Sequence, residues 1–97
     1  MKLIVSPEAR ADLRQIEEYI GEDNPKAAVD FVARLTARFD YLVTFPGMGR
    51  KREEIRPGFR SVTEGDYVII YRLRSDGVEI LHVVHGKQDI SRIVFPE

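Results

Sequence analysis

The spacing of apolar residues changes once along this chain, and that change limits the folds open to it. From residue 7 to about residue 44, apolar side chains recur at intervals of three and four, which is the spacing of one helix face. From about residue 58 the chain is rich in β-branched and aromatic residues, in short runs separated by tight-turn sequences. With 97 residues it can fill one core. We therefore expect one α+β domain, residues 1–97, with its helices before most of its strands.

Two helices are expected, and each has a recognisable start. Residues 2–5 (KLIV) indicate a short strand first. Ser6 and Pro7 then supply an N-cap hydroxyl and a proline at the first helical position, and Asn24 with Pro25 repeats the arrangement. The first helix should end at residues 21–23 (GED) and the second at residues 45–47 (FPG), because glycine and proline interrupt helices. The result is a helical hairpin.

The remaining sequence predicts three antiparallel strands, residues 58–63, 67–74 and 78–85, joined by two tight turns. We expect the hairpin to pack on one face of this meander and the other face to be open to water or to a partner. Alternation along the middle strand places Tyr67 and Tyr71 against the helices and Arg72 on the open face. The last strand does not alternate clearly enough for its two faces to be assigned.

Four cationic or titratable side chains fall on these strands or just after them: Arg60, Arg72, His85 and Lys87. They would bind a phosphate or a carboxylate if they met on the open face, but arginines on a small sheet are often ordinary surface residues. His82 is expected to be a hydrogen-bonded core residue. Residues 50–56 mix positive and negative charges, so we expect most of this segment to be a solvated loop.

Composition excludes several classes of function. The formal net charge is −1, which is too small for strong non-specific nucleic-acid binding. There is no cysteine, and two histidines without a carboxylate cluster make a metal site improbable. The motifs of nucleotide-binding loops, zinc proteases and serine hydrolases are absent, so no cofactor is expected. Neither a targeting segment nor a membrane span is present in the sequence, and we expect a cytoplasmic protein.

The order of five segments resembles the ParE branch of the ParE/RelE toxin superfamily over nearly the whole chain. The segments are SPEARADLRQIEEYI, NPKAAVDFV, FPGMGRKREEIRPGFRS, DYVIIYR and VEILHVVHGKQD. The resemblance implies a helical hairpin against an antiparallel sheet, the fold that the residue pattern predicts independently. It also implies a toxin of a type II toxin-antitoxin module.

Two activities occur in the superfamily, and residue types separate them. RelE-like members cleave messenger RNA on the ribosome without a metal, using lysines, arginines and a tyrosine. Alignment on the DYVIIY and HGKQD segments fills those positions with residues of another kind: Phe59, Ser61, Val68, Gln88 and Val94. The resemblance therefore favours a ParE-like inhibitor of DNA gyrase that performs no chemistry of its own. A ribonuclease with an atypical cationic set and a non-toxic module that only binds an antitoxin remain as alternatives.

The resemblance also implies partners. IRPGFRS and VVHGKQD match the ParE branch, which makes Arg60, His85 and Lys87, together with Arg72, the expected contacts to the target. A ParD-like antitoxin is expected to fold onto an apolar groove, because two helices cannot bury every apolar residue under one small sheet. Nucleic acid is expected only through such complexes. The expected antitoxin contacts are Leu13, Ile16, Ile20, Phe31, Leu35, Phe45 and Met48.

Overall fold

The computed structural model describes residues 1–95 and has two α-helices packed on a mixed sheet. Within those residues the sheet has five strands in the order β1-β5-β4-β3-β2. The elements are β1 (Lys2–Val5), α1 (Pro7–Gly21), α2 (Pro25–Thr44), β2 (Arg50–Lys51), β3 (Phe59–Glu64), β4 (Tyr67–Arg74), β5 (Gly77–His85) and a 3-10 turn (Ile90–Arg92). The predicted α+β fold is confirmed, with one more strand than the sequence indicated. No helix in residues 1–95 combines the length and apolarity needed to cross a membrane.

The additional strand is β2, which the sequence prediction placed in a solvated loop. Arg50 pairs with Ser61 and Lys51 with Arg60 at the edge of the sheet. A strand of two charged residues has no apolar alternation, so its sequence carries no strand signal. At the opposite edge, β1 runs parallel to β5.

Both helix starts are confirmed by their capping hydrogen bonds. The hydroxyl of Ser6 accepts from the backbone N–H of Ala9 at 3.0 Å, and Asn24 Oδ1 accepts from the N–H of Ala27 at 3.0 Å. Ser6 Oγ also donates to the carbonyl of Leu81 at 2.8 Å. The first cap therefore fixes the start of α1 against β5 as well as satisfying the helix end.

The main core lies between the helical hairpin and one face of the sheet. Tyr71 contributes its ring from β4 and Leu35 its side chain from α2, each without exposed surface. The other buried members of this core are Ala9, Ile16, Phe39, Leu42, Val62, Ile69, Val78, Ile80 and Val83. The prediction that Tyr67 and Tyr71 face the helices is confirmed, with Tyr67 half-buried at the margin.

The opposite face of the sheet is covered, so the expectation of an open face is wrong. Phe59, Ile70, Leu81 and Val84 form a second buried cluster on this face together with Phe95. Apolar side chains from irregular segments complete the cover: Ile55 from the β2–β3 loop, and Ile90 and Ile93 from the chain after β5. These residues lie outside the α-helices and strands, and periodicity therefore gave no sign of their burial.

A β-bulge explains why the last strand could not be assigned from its sequence. Ile70 lies opposite His82 while Tyr71 lies opposite Ile80, so Leu81 is an extra residue in β5. Ile80 and Val83 therefore both face the helices, although one is even-numbered and the other odd-numbered. After the bulge, the odd-numbered residues of β5 face the helices, whereas before it the even-numbered residues do.

His82 is hydrogen-bonded, as expected, and it joins the two faces of the sheet. Its Nδ1 lies 2.7 Å from Asp12 Oδ2 on α1, and its Nε2 lies 2.8 Å from the carbonyl of Val94 in the C-terminal segment. The same Asp12 oxygen accepts from the N–H of Val83 at 2.8 Å. His82 therefore has a structural position in which both ring nitrogens are used.

Candidate functional site

The four residues expected to contact a target do not converge. Arg60 lies opposite Tyr71 on the face that carries the helices, whereas Arg72 lies opposite Phe59 on the other face. His85 is paired with Tyr67 at the far end of β4 and β5. The single cationic cleft that the sequence suggested is therefore not formed, and each residue has to be considered in its own surroundings.

Arg60 holds the loop that follows α2. Its guanidinium donates from Nη1 to the carbonyl of Gly49 at 2.8 Å and to that of Gly47 at 3.2 Å. Beside it, the Tyr71 hydroxyl accepts from the N–H of Gly49 at 2.9 Å and donates to the carbonyl of Pro46 at 2.8 Å. Burial raises the pKa of Tyr71, against smaller lowering effects of Gly49 and Arg60. At least part of the donor capacity of Arg60 is thus structural.

Arg72 is paired across the sheet. Its Nε lies 2.8 Å from Oε1 of Glu79, whose side chain is 9% exposed, and Arg74 Nη1 approaches the same oxygen at 3.8 Å. A buried carboxylate needs such a partner, because its charge is otherwise poorly solvated. Removing Arg72 would therefore disturb the fold as well as any contact with a target.

His85 and Lys87 lie on an aromatic surface at the other end of the sheet. The His85 and Tyr67 ring centroids are 5.2 Å apart, and Tyr67 is 5.4 Å from Phe31 on α2. The N–H of Lys87 donates to His85 Nδ1 at 3.1 Å, which fixes the ring and the turn together. We call this region the Tyr67 surface. It comprises Tyr19, Ile20, Phe31, Tyr67, His85 and Lys87.

The Tyr67 surface is concave and partly desolvated. Three adjoining grooves of about 240, 380 and 450 Å³ are each lined by both Tyr67 and His85. Tyr19 borders two of these grooves and is 71% exposed. Burial raises the pKa of Tyr67, with Tyr19 and Asp66 adding to the effect. Neutral aromatic side chains around a groove are suited to bind a protein partner.

The residues expected to contact an antitoxin are divided among three places. Ile20 and Phe31 lie on the Tyr67 surface, partly buried. Phe45 and Met48 are 52% and 43% exposed near the C-terminal end of α2, where the Phe45 ring is 4.9 Å from that of Tyr41. Leu13 is partly buried against the main core.

Two of the expected antitoxin contacts need correction. Ile16 is 6% exposed and Leu35 is 0% exposed, and both belong to the main core. Leu35 presents no surface to a partner in this conformation, and Ile16 presents only a small part of its side chain, in the groove of about 240 Å³. The reason is that both side chains face the sheet, where they belong to one buried cluster with residues of β4 and β5.

Sequence reasoning passed over the arginines that precede β3. Arg52 donates from Nη1 to Ser61 Oγ at 3.1 Å and from Nε to Glu54 Oε2 at 2.8 Å. This hydrogen bond from Arg52 is the main reason that the pKa of Glu54 is lowered. Only the pairing of β2 with β3 brings Arg50 and Arg52 to the sheet, and that pairing had no sequence signal. Residues 1–95 contain no cluster of three side chains able to hold a metal ion.

Comparison with a solved structure gives the class of protein. The fold is similar to a chain described as "Chromosomal ParDE TA system from P. aeruginosa", with a TM-score of 0.77 and 26% identity. The match covers 88% of this chain and 95% of that one. The molecule therefore has the fold of a chain from a toxin-antitoxin (TA) system.

The family follows from the sequence. A family model described as "ParE toxin of type II toxin-antitoxin system, parDE" matches residues 3–90, and the chain belongs to this family. It is 34% identical over 82 residues to Toxin ParE1 of Caulobacter vibrioides, covering 84% of each chain. It is 29% identical over 96 residues to Toxin ParE1 of Mycobacterium tuberculosis, covering 94% of this chain and 95% of that one. Toxin RelE1 of Caulobacter vibrioides is 30% identical over 88 residues, with 87% and 91% covered.

Proposed function

We propose that this member of the ParE toxin family inhibits DNA gyrase in the cytoplasm, and so stops replication, until a ParD-like antitoxin neutralises it. In this proposal the toxin acts by binding and performs no chemical step. The family membership supports the toxin role, and the structure bears on the choice between binding and RNA cleavage.

One observation favours binding over RNA cleavage. Phe59 and Ser61 occupy the positions at which the resemblance places the two nuclease lysines. Phe59 is 2% exposed, with its ring 5.2 Å from that of Phe95, and Ser61 is 8% exposed. Cleavage of a phosphodiester needs cations at the phosphate and an acid or base in reach. A buried phenyl ring and a serine hydroxyl supply neither, and this supports an inhibitor that acts by binding.

A RelE-like ribonuclease is the second candidate. It is favoured by the similarity to a relative named Toxin RelE1, at 30% identity. His85 also lines three grooves, which places its imidazole where a bound RNA strand would contact it. This reading needs a set of catalytic residues different from the one that the superfamily uses.

The Tyr67 surface suggests how an antitoxin would neutralise the toxin. His85 and Lys87, expected to meet the target, lie beside Ile20 and Phe31, expected to meet the antitoxin. A single segment lying on this surface would cover both sets. It would present apolar side chains to the aromatic groove and a carboxylate to Lys87 at the rim. We propose that neutralisation is the direct masking of target contacts.

The target is tested by inducing the chain alone in bacteria and following labelled thymidine and leucine incorporation over the first minutes. We expect DNA synthesis to fall first, and purified gyrase to lose supercoiling activity when the toxin is added. An earlier fall in protein synthesis, with cleaved messenger RNA, would replace the gyrase proposal with the ribonuclease.

Two variants refine the test. His85→Ala on the Tyr67 surface should weaken gyrase inhibition about tenfold or more, the scale of a residue central to an interface. Phe45→Ala, at the other end of the hairpin, should change inhibition less than about twofold. Equal losses in both variants, with unchanged stability, would show that the Tyr67 surface is not the target contact.

A further inference from the structure

The short β2 strand leaves the edge of β3 incomplete. Arg50 and Lys51 pair with Ser61 and Arg60, so β3 extends past its partner as far as Glu64. In this unpaired stretch, the carbonyl of Thr63 accepts a hydrogen bond from Arg38 Nη2 at 3.2 Å. Because β3 is longer than β2, the edge of the sheet has a notch beside the end of β2. The side chain of Arg38 extends from α2 into this notch.

Three guanidinium groups line this notch. It has a volume of about 440 Å³, and its polar side chains come from α2, β2, the loop after β2 and β3. Arg50 lies opposite Ser61 and hence on the same face of the sheet, while Arg52 is held by its hydrogen bond to Ser61 Oγ. We call the set the arginine notch. It comprises Arg38, Arg50, Arg52, Ser61 and Thr63.

Some of the donors in the notch are uncommitted. The buried Nε of Arg38 has no hydrogen-bond partner within residues 1–95, although Glu64 Oε1, at 3.6 Å, is close enough to form an ion pair with it. The side chain of Arg50 is exposed and makes no hydrogen bond or ion pair in the described part of the chain, although its charge is the smallest of the effects that lower the pKa of Glu54. A buried donor without an acceptor, such as Arg38 Nε, is unfavourable unless a ligand or water supplies an oxygen. Guanidinium groups are best matched by phosphate or carboxylate.

The notch continues into one groove of the Tyr67 surface. That groove, of about 380 Å³, shares Thr63 and Val68 with the notch and extends to His85 and Lys87. Cations therefore stand at both ends of one path along the sheet, with Asp66 as a carboxylate on its wall. An anion that occupies the whole path must carry its charges at intervals.

We propose that the path from the arginine notch to Lys87 binds the sugar-phosphate backbone of a nucleic acid strand. Every nucleotide repeats the phosphate, so a strand meets both ends of the path without needing a matching sequence. The hydroxyls of Ser61 and Thr63 add neutral contacts of the kind that phosphates accept. This inference goes beyond gyrase inhibition, because the chain would bind nucleic acid directly, without gyrase or an antitoxin. Nucleic acid would then be more than a component of larger complexes.

The net charge of −1 makes the binding local and weak. Arg50 is the best residue to test, because its side chain is exposed on an edge strand and makes no hydrogen bond or ion pair within residues 1–95. Lys51 is the matched control. It is the next residue of the same strand and is also exposed, but it lies opposite Arg60 on the other face of the sheet. The two variants, Arg50→Ala and Lys51→Ala, change net charge equally.

The measurement is fluorescence anisotropy of a short labelled single-stranded DNA titrated with the full chain at about 50 mM and 200 mM salt. We expect Arg50→Ala to weaken binding about five- to tenfold at the lower salt and to reduce the salt slope by about 0.7. Lys51→Ala should weaken it less than about twofold. Circular dichroism of each variant checks that the fold is kept.

Three results would overturn the proposal. Absence of binding by the wild-type chain at the lower salt would leave the notch without this ligand. Equal losses in Arg50→Ala and Lys51→Ala would show attraction to general charge instead of a site. Displacement of the DNA by poly-glutamate at equal charge concentration would assign the notch to an acidic protein segment. None of these outcomes depends on gyrase or on an antitoxin.

Discussion

The two faces of the sheet are both buried, but they are covered in different ways. One face is covered by two regular helices, α1 and α2, whose apolar residues recur at helical spacing. The other face is covered by the loop between β2 and β3 and by residues 90–95, which contribute Ile55, Ile90, Ile93 and Phe95. Regular structure thus forms one core and irregular chain completes the other.

The difference shows that a residue can be buried without its burial being predictable from the sequence. The buried face of a helix can be predicted from the sequence because its apolar residues recur every three or four positions. A single isoleucine in a loop gives no such periodic signal. The second cover is also anchored by side-chain chemistry, because His82 connects the carbonyl of Val94 to Asp12 on α1. We therefore expect the two cores to respond differently when one apolar side chain is removed from each.

The largest effect is expected in the helical core. Leu35→Ala removes a side chain without exposed surface at the centre of α2, and should lower the free energy of unfolding by about 3 to 4 kcal/mol. Urea denaturation followed by circular dichroism measures the loss. Val29→Ala on the same helix, where Val29 is 61% exposed, should change stability by less than about 0.5 kcal/mol. A small loss at Leu35 would contradict the packing described for this face.

A smaller effect is expected in the second core. Phe95→Ala removes a ring that is 7% exposed, and we expect a loss of about 2 kcal/mol. The value lies below the usual cost of such a change because the terminal segment can detach while the sheet remains folded. Hydrogen exchange should therefore increase first at β3 and β4. Val94→Ala, at a neighbour that is 82% exposed, is the control. A uniform rise in exchange would show that the two cores unfold as one unit.

The sequence was sufficient for the regular half of the fold. Both helix starts follow from local chemistry at Ser6 and Asn24, and their hydrogen bonds are present. The bulge at Leu81 and the strand at Arg50–Lys51 could not be foreseen, because each depends on pairing with a distant segment. The burial of the second face could not be predicted for the same reason, because Phe95 packs on strands that precede it in the sequence.

The candidate site was predictable only in part. His85 and Lys87 were singled out from the sequence and lie together on a concave surface, but their role stays a prediction. Arg60 and Arg72 were grouped with them because strand neighbours seemed close, yet the register places these two on opposite faces. The arginine notch was missed because Arg50 and Arg52 were treated as solvated charges. Tertiary pairing decides which charges meet.

The smallest predicted effect concerns a third irregular segment, residues 45–49, which a polar group anchors to the helical core. Tyr71→Phe removes the hydroxyl that accepts from Gly49 N–H and donates to the Pro46 carbonyl, at 2.9 and 2.8 Å. We expect a loss of about 1 kcal/mol near neutral pH, the usual net value of such hydrogen bonds. Tyr41→Phe, at a tyrosine that is 47% exposed, should have almost no effect.

The pH dependence of stability distinguishes the contribution of the Tyr71 hydroxyl from that of the apolar contacts. Burial raises the pKa of Tyr71, so the folded state favours the neutral phenol more strongly than the unfolded state does. Its contribution is complete below the unfolded value of about 10 and is lost as pH rises through the higher folded value. The stability difference between wild type and Tyr71→Phe should therefore shrink above about pH 10. Tyr67, which is present in both proteins, cancels from the difference. A difference that stayed constant with pH would show that the phenol is solvated and that the loop is held by Arg60 instead.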